Sequence, residues 1–442
     1  MRFTTLAGLA SLAVSAAAEL TPITIRGNAF FAGNDRFYIR GVDYQPSGAS
    51  DPKDPLADPA ICGRDIPALK DLGANAIRVY IVDSAGDHDK CMKMLDDAGI
   101  YLILDVNTPH QSISRDNPAL SYNEVYLQHV FATMDVFSKY PNVMAYFAGN
   151  EVVNNETNTA AATYVKATVR DMKAYQKARK LRAVPVGYSA ADVAQNRQLI
   201  AEYMNSGPDD ERVDFHAFND YSWCGSASSF QISGYDQKVK NYTGYGIPTF
   251  LSEFGCNINP PRTFDEIESI YHPNMTGVFS GGLVYEFTQE PNNYGLVEVS
   301  TDLKTIKKRV DYTNLKAMYE KVPNPSGNGG ATTTTGKPST CPSKVPGVWE
   351  ADCTLPQTPQ KAQVYLSNGA GKALGIEGPT NQWSGPAQPS SGQSGTSPTS
   401  TSGSSSTPNA AVMALPSTNF LAIITFASIS FAGFLGGATA FL

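Results

Sequence analysis

The sequence predicts an α/β protein built as a TIM (β/α)8 barrel, followed by a small C-terminal extension and a disordered Ser/Thr-rich stalk. Three observations predict it. Eight short apolar stretches alternate with helical patterns, over the roughly 300 residues such a barrel occupies. The stretches lack a clean period of two, as strands do when a parallel sheet is buried on both faces. The fourth and seventh stretches each end on a glutamate, Glu151 and Glu253. Barrels of this kind keep their active sites at the C-terminal ends of the strands.

In chain order, strands are expected at 37–44, 75–82, 101–107, 143–148, 183–189, 213–221, 247–254 and 282–287. Helical patterns fall at 66–72, 87–98, 122–138, 160–180, 194–204 and 312–321. The fourth strand, Val-Met-Ala-Tyr-Phe-Ala, stops at Gly149 and is followed by Asn150 and Glu151. A carboxylate at the mouth of a buried strand needs a partner, and alone it also fits a structural ion pair with an arginine. The recurrence in Ile247-Pro-Thr-Phe-Leu-Ser-Glu253 points instead to the paired carboxylates of a glycosidase. Gln45, Tyr80, Asp105, Asn107, Asn219, Tyr221 and Tyr285 fall at the same end of their strands.

Two carboxylates cleave a glycosidic bond by inversion or by covalent double displacement, and the retaining pair sits about 5–5.5 Å apart. Asn150 is suited to bind the sugar 2-hydroxyl, whose hydrogen bond strengthens in the transition state. Arg78, in the second strand, can hold Glu253 ionised by its opposite charge. Glu151 has to start protonated, which requires a raised pKa.

Composition narrows the rest. A net charge of -7 over 442 residues argues against a nucleic-acid partner, which wants a basic face. Six cysteines without a CxxC and five histidines without HExxH spacing give no metal motif, and neither metal nor cofactor is expected. Residues 1–18 read as a signal peptide: a basic start, an apolar run from Leu6, and Ala16-Ala17-Ala18 before Glu19. An oxidising compartment makes disulfides expected. It also makes the sequons at Asn155, Asn241 and Asn274 usable surface N-glycosylation sites.

The barrel is expected to span 19–322. Residues 323–378 read as a linker and a small Cys-containing segment, separate enough that an active barrel should survive their loss. Residues 379–409 are rich in Ser, Thr, Gly and Pro, too polar to fold, and read as a stalk. Residues 410–442 form an uncharged, apolar terminus behind a polar spacer, the pattern of a GPI-anchor signal, with Asn409 as attachment site and Ser406 as the next candidate. The other reading of such a terminus is a membrane-spanning helix, but no basic residue follows it.

Gly149-Asn150-Glu151-Val152 and Leu251-Ser252-Glu253-Phe254-Gly255-Cys256 resemble the two catalytic motifs of glycoside hydrolase family 72, the fungal GPI-anchored β-1,3-glucanosyltransferases. Gly41-Val42-Asp43-Tyr44-Gln45-Pro46, Ile77-Arg78-Val79-Tyr80 and Asn219-Asp220-Tyr221-Ser222-Trp223-Cys224 extend the resemblance over 23–321. It implies a retaining transglycosylase with Glu151 as acid/base and Glu253 as nucleophile. Gln45, Tyr80, Asp105, Asn150, Tyr221 and Tyr285 would line sugar subsites, and Arg78 would support the nucleophile. Such an enzyme cleaves an internal β-1,3 bond and passes the held fragment to the non-reducing end of another chain.

The partners implied are β-1,3-glucan donor and acceptor chains and, through the anchor, a membrane. The implied protein is a monomer at the outer face of the plasma membrane or in the wall. The other readings are a retaining endo-β-1,3-glucanase and a non-catalytic glucan-binding wall protein. The resemblance also implies disulfides Cys62–Cys91 and Cys224–Cys256. Many relatives carry a further Cys before the sixth strand, bonded to the C-terminal linker; here Asn205-Ser206-Gly207 stands there. Cys341 is left with Cys353 as its natural partner. With two Cys after Lys321, the chain resembles the subfamily without the Cys-rich carbohydrate-binding module.

Overall fold

A computed structural model describes residues 19–48 and 53–382. The expected signal peptide, the chain from 383 onward, Asn409 and the apolar terminus lie outside the described residues.

The expected barrel is observed. Its strands are β1 (Ile39–Asp43), β2 (Ala76–Val79), β3 (Tyr101–Asp105), β4 (Val143–Asn150), β5 (Val186–Ala191), β6 (Phe215–Asp220), β7 (Thr249–Phe254) and β8 (Phe279–Val284). They pair in parallel in chain order, and β8 closes on β1. β8 begins three residues before the predicted 282, because Phe-Ser-Gly-Gly reads as a turn. Gly281 (φ +95) is instead a close approach inside the sheet: a Cβ there would lie 2.2 Å from the Ile39 carbonyl oxygen.

Helices Pro59–Leu72, Asp89–Ala98, Glu124–Phe137, Ala162–Arg179, Arg197–Met204 and Val310–Lys321 surround the barrel. The first starts earlier than its apolar pattern suggests, since Asp58 caps it (Ala60 N–H to Oδ1, 2.8 Å) and Pro59 follows. Tyr235–Tyr242, Glu266–Ile270 and Pro273–Thr276 carry too few aliphatic residues in too few turns to announce themselves.

The N-terminal strands Ile23–Arg26, Ala29–Ala32 and Asp35–Phe37 form a small antiparallel sheet that plugs the bottom of the barrel. Phe30, fully buried, meets Phe215 and Phe250 edge-on at 5.8 and 5.9 Å, and Phe147 completes the layer. Above that floor the interior turns polar, with the Arg78 guanidinium 4.6 Å from the Phe147 ring centroid. The apolar floor excludes water from below, so charges set on it interact through a low dielectric.

Three disulfides are present: Cys62–Cys91, Cys224–Cys256 and Cys341–Cys353. The first joins two neighbouring helices. The second ties the loop after β6 to the end of β7, the elements that carry Tyr221 and Glu253.

The C-terminal segment, expected from sequence as a linker and a small Cys-containing piece, lies against the barrel. It climbs the outside of the barrel as a strap, from Thr332 near the bottom (Asn28 N–H to Thr332 O, 3.2 Å) to Asn381 on the loops after β3. Where relatives are expected to carry a disulfide, Asn205 and Ser339 are joined by hydrogen bonds (Ser339 N–H to Asn205 O, 3.0 Å; Asn205 Nδ2 to Ser339 Oγ, 3.2 Å). Trp349 is fully buried against Tyr203 at 5.4 Å. Residues 379–382, read from composition as stalk, are docked: Asn381 is fully buried and bonded to Ser112 and Ser121. Pro and Gly spacing hid this, because the strap is held by side chains of the barrel gripping its backbone rather than by a periodic apolar face. Trp349→Ala is therefore expected to cost about 3 kcal/mol, read as a lowered urea midpoint. An unchanged midpoint would mean that the strap adds nothing to the barrel.

Candidate active site

Both glutamates are delivered by local irregularities. In a regular strand Asn150 and Glu151 would face opposite sides. Glu151 instead adopts a left-handed backbone (φ 47), a conformation that costs a non-glycine residue on the order of 1–3 kcal/mol and recurs at functional sites. Its N–H donates to Ser189 O (2.8 Å), and Arg115 Nη2 donates to its carbonyl (2.7 Å). The turn lets both side chains meet Asn219, whose Nδ2 donates to Glu151 Oε1 (2.9 Å) and lies 3.3 Å from Asn150 Oδ1. In β7 the register against β6 shifts between Leu251 and Glu253. Such a bulge re-aims a side chain. Ser252 turns to Asn219 Oδ1 (2.8 Å) and Ser189 Oγ (2.8 Å), while Glu253 reaches a different set of partners.

Those partners are donors. Tyr80 OH donates to Glu253 Oε1 (2.9 Å), Tyr221 OH to Oε2 (2.7 Å), and Arg78 Nη1 approaches Oε1 at 3.4 Å. Arg78 is fully buried and also binds Asp105 through Nε (3.1 Å) and Nη2 (2.9 Å). Burial pushes the Glu253 carboxyl up, and Arg78, Tyr221 and Tyr80 pull it back. Glu151 is raised to about 7, by burial first and by the Glu253 charge second, against a single Asn219 hydrogen bond. Three donors against one favour the charge on Glu253 and the proton on Glu151.

The other residues singled out from sequence divide by what they touch. Asn150 accepts from Ser189 Oγ (2.7 Å) and joins the Asn219 network. Tyr285 meets Tyr294 edge-on at 5.3 Å, and Tyr294 meets Tyr221 at 5.6 Å, forming an aromatic cluster with Tyr80 and Ile81. Asp105 faces Arg78 with both oxygens. Gln45 braces the loops: its Nε2 donates to Lys53 O (2.7 Å) and its Oε1 accepts from Ile81 N–H (3.2 Å). Asn241 and Asn274 are exposed, whereas Asn155 is half-buried and its Oδ1 accepts from Thr157 N–H (2.8 Å).

Sequence reasoning passed over Ser189, Ser252, Arg115, Tyr294 and Asp43. Short hydroxyls at strand ends carry no signal. Asp43, at the end of β1, is fully buried, and among the described residues neither of its oxygens makes a well-formed hydrogen bond, although Arg78 and Tyr80 act on it. Burial raises its pKa well above the ordinary range, with Arg78 opposing and Glu253 adding to the rise. Its position at the end of the first predicted strand, as in the two glutamates, was the available clue. Among the described residues no group of three or more His, Cys, Asp or Glu is placed to hold a metal ion, and no helix is long and apolar enough to cross a membrane.

Unequal carboxyl groups at the mouths of β4 and β7, over a closed apolar floor, define a glycosidase-type site on a TIM barrel. The chain belongs to the glucanosyltransferase family, glycoside hydrolase family 72, whose family model matches residues 12–323. It is 56% identical over 371 residues to the 1,3-beta-glucanosyltransferase gel1 of Aspergillus fumigatus, covering 84% of this chain and 81% of that one. It is 57% identical over 380 residues to the 1,3-beta-glucanosyltransferase GAS5 of Saccharomyces cerevisiae, covering 85% and 78%. Among solved structures it is similar to a Glu-to-Gln mutant of Saccharomyces cerevisiae Gas2p in complex with laminaritetraose and laminaripentaose. That match has a TM-score of 0.72 at 40% identity and covers 78% of this chain and 76% of that one.

Proposed function

We propose that this protein is a retaining β-1,3-glucanosyltransferase, with Glu253 as nucleophile and Glu151 as acid/base. The observation that carries the reading is the split between the two carboxyl groups, one facing three donors and one facing a single amide. Glu253 attacks the anomeric carbon of an internal glucose while Glu151 protonates the departing oxygen, and the fragment is held as an ester on Glu253. Glu151, now a carboxylate, takes the proton of an incoming sugar hydroxyl, whose oxygen bonds the anomeric carbon as the Glu253 carboxylate leaves. Tyr80 and Tyr221 hold the carboxylate in line. Tyr221 and Tyr285 offer ring surface to the sugars, and Asn150, Gln45 and Asp105 line or brace the subsites.

Transfer competes with water at roughly 55 M, and a positioned acceptor wins because effective molarities reach about 10⁵ M or more. The alternative, an endo-glucanase, shares the first step and differs only in what meets the ester. Incubation with a single reduced β-1,3-oligosaccharide is expected to give products longer than the starting material. Release of shorter fragments only would make the protein a hydrolase.

Three disulfides support an oxidising, extracellular setting. With the leader and the apolar terminus, this favours a GPI-anchored monomer at the outer face of the plasma membrane or in the wall, attached through Asn409. N-glycans are expected on Asn241 and Asn274, which are open, before Asn155.

The pH dependence follows from Glu151. The first step needs its proton, so kcat/KM for donor is expected to fall as pH rises through about 7. Stability runs the same way. With a folded value of about 7 against an ordinary 4.5, the contribution of Glu151 is fully present below the unfolded value and lost as pH rises through the folded one. A rate that stays level from pH 6 to about 9 would remove Glu151 from the acid role.

A further inference from the structure

The strap ends at the mouth of the barrel. Its residue Ile376 is half-buried against the cluster of Tyr80, Ile81, Tyr285 and Tyr294, of which Tyr80 donates to Glu253. Two residues before Ile376, Leu374 is 45% exposed, a large aliphatic side chain left in water. A single exposed leucine is ordinary; what distinguishes this one is that Ile376, two residues on, packs on the catalytic cluster.

The strap is also held to position on both sides. Before it, Gln128 Nε2 donates to the carbonyls of Ala370 (3.1 Å) and Lys372 (2.9 Å). After it, Gln111 Nε2 donates to Gly378 O (3.2 Å) and Pro379 O (3.0 Å), and Asn381 is locked between Ser112 and Ser121. Gly375 (φ +71) sits so close to the loop after β2 that a Cβ would lie 2.0 Å from Asp83 Oδ1. A segment that only linked the barrel to a tether would need no such fixing at the catalytic face.

We propose that residues 374–378 form an outer sugar-binding subsite, with Ile376 and Leu374 supplying apolar surface for the C–H face of a glucose ring distal to the cleaved bond. The inference rests on the β-1,3-glucan reading. It predicts that chain-length preference is set in part by a segment outside the barrel. Full chains carrying Ile376→Ser or Leu374→Ser are compared with the unaltered chain on reduced β-1,3-oligosaccharides of increasing length. For long oligomers kcat/KM should fall about fivefold, and for the shortest oligomer processed by less than about twofold, with the change in KM rather than kcat.

A purely structural role would lower all lengths alike, and that result, or no loss at any length, overturns the inference. Leu374→Ser guards against misfolding, since its side chain is exposed. If the unaltered chain elongates no β-1,3-oligomer, the glucan reading fails and takes the subsite with it. If it elongates them with a length-independent effect of both variants, the subsite alone fails.

Discussion

Glu253→Gln leaves a folded protein whose turnover falls by about 10⁴-fold or more. Glutamine keeps the shape; its one carbonyl oxygen can accept from Tyr80 or Tyr221, and the other hydroxyl can turn to accept from its amide, so the loss is the loss of a nucleophile rather than of the fold. Glu151→Gln is also inactive on glucan but differs in kind. It removes the proton donor, worth about 10²–10⁴-fold, and leaves Glu253 intact. A donor with a good leaving group needs little acid help and should still load the Glu151→Gln protein, in a burst that stops at the ester. Equal inactivity of both variants toward such a donor would refute the assignment of separate roles.

Arg78→Met is expected to destabilise the fold by about 3–5 kcal/mol, because it strips the counter-charge from buried carboxylates while filling the same volume. Asp105 loses both of its guanidinium contacts and Glu253 loses one. Desolvation already raises Asp105 and Glu253, and Arg78 is the opposing charge for each. Without it both rise further. The penalty is then largest where they have to ionise, near neutrality, and shrinks as pH falls and they take up protons. Urea unfolding at pH 7 and at about pH 4.5 separates this from a packing defect. The same loss at both values would show that Arg78 acts by volume and not by charge.

The barrel was legible because its strands are apolar runs broken by helices, and the two glutamates because each interrupts such a run at its end. What was not legible is how they are aimed. The left-handed backbone at Glu151 and the bulge before Glu253 are set by neighbouring chains, through Ser189, Arg115 and Asn219, and leave no mark on local composition. Asp105 closes β3 and Gln45 follows β1, but their polar atoms face Arg78 and the loops. A residue's position along a strand says which end it occupies and not which partner it meets. The strap was read as a linker for a related reason. It is held by scattered apolar side chains, Trp349 the largest, and by hydrogen bonds between strap and barrel, interactions between positions as far apart as Gln128 and Lys372, which no window of sequence contains.

The central claim is that glucan passes through a covalent bond to Glu253 with Glu151 as its acid partner. The measurement that tests it most directly is mass mapping of peptides after reaction with a 2-deoxy-2-fluoro β-glucosyl donor bearing a good leaving group, which slows breakdown of the ester. The account predicts a glycosyl adduct on the peptide containing Glu253, absent from Glu253→Gln and present in Glu151→Gln. A label on Glu151 or Asp105, or turnover of that donor with no covalent adduct, would contradict it.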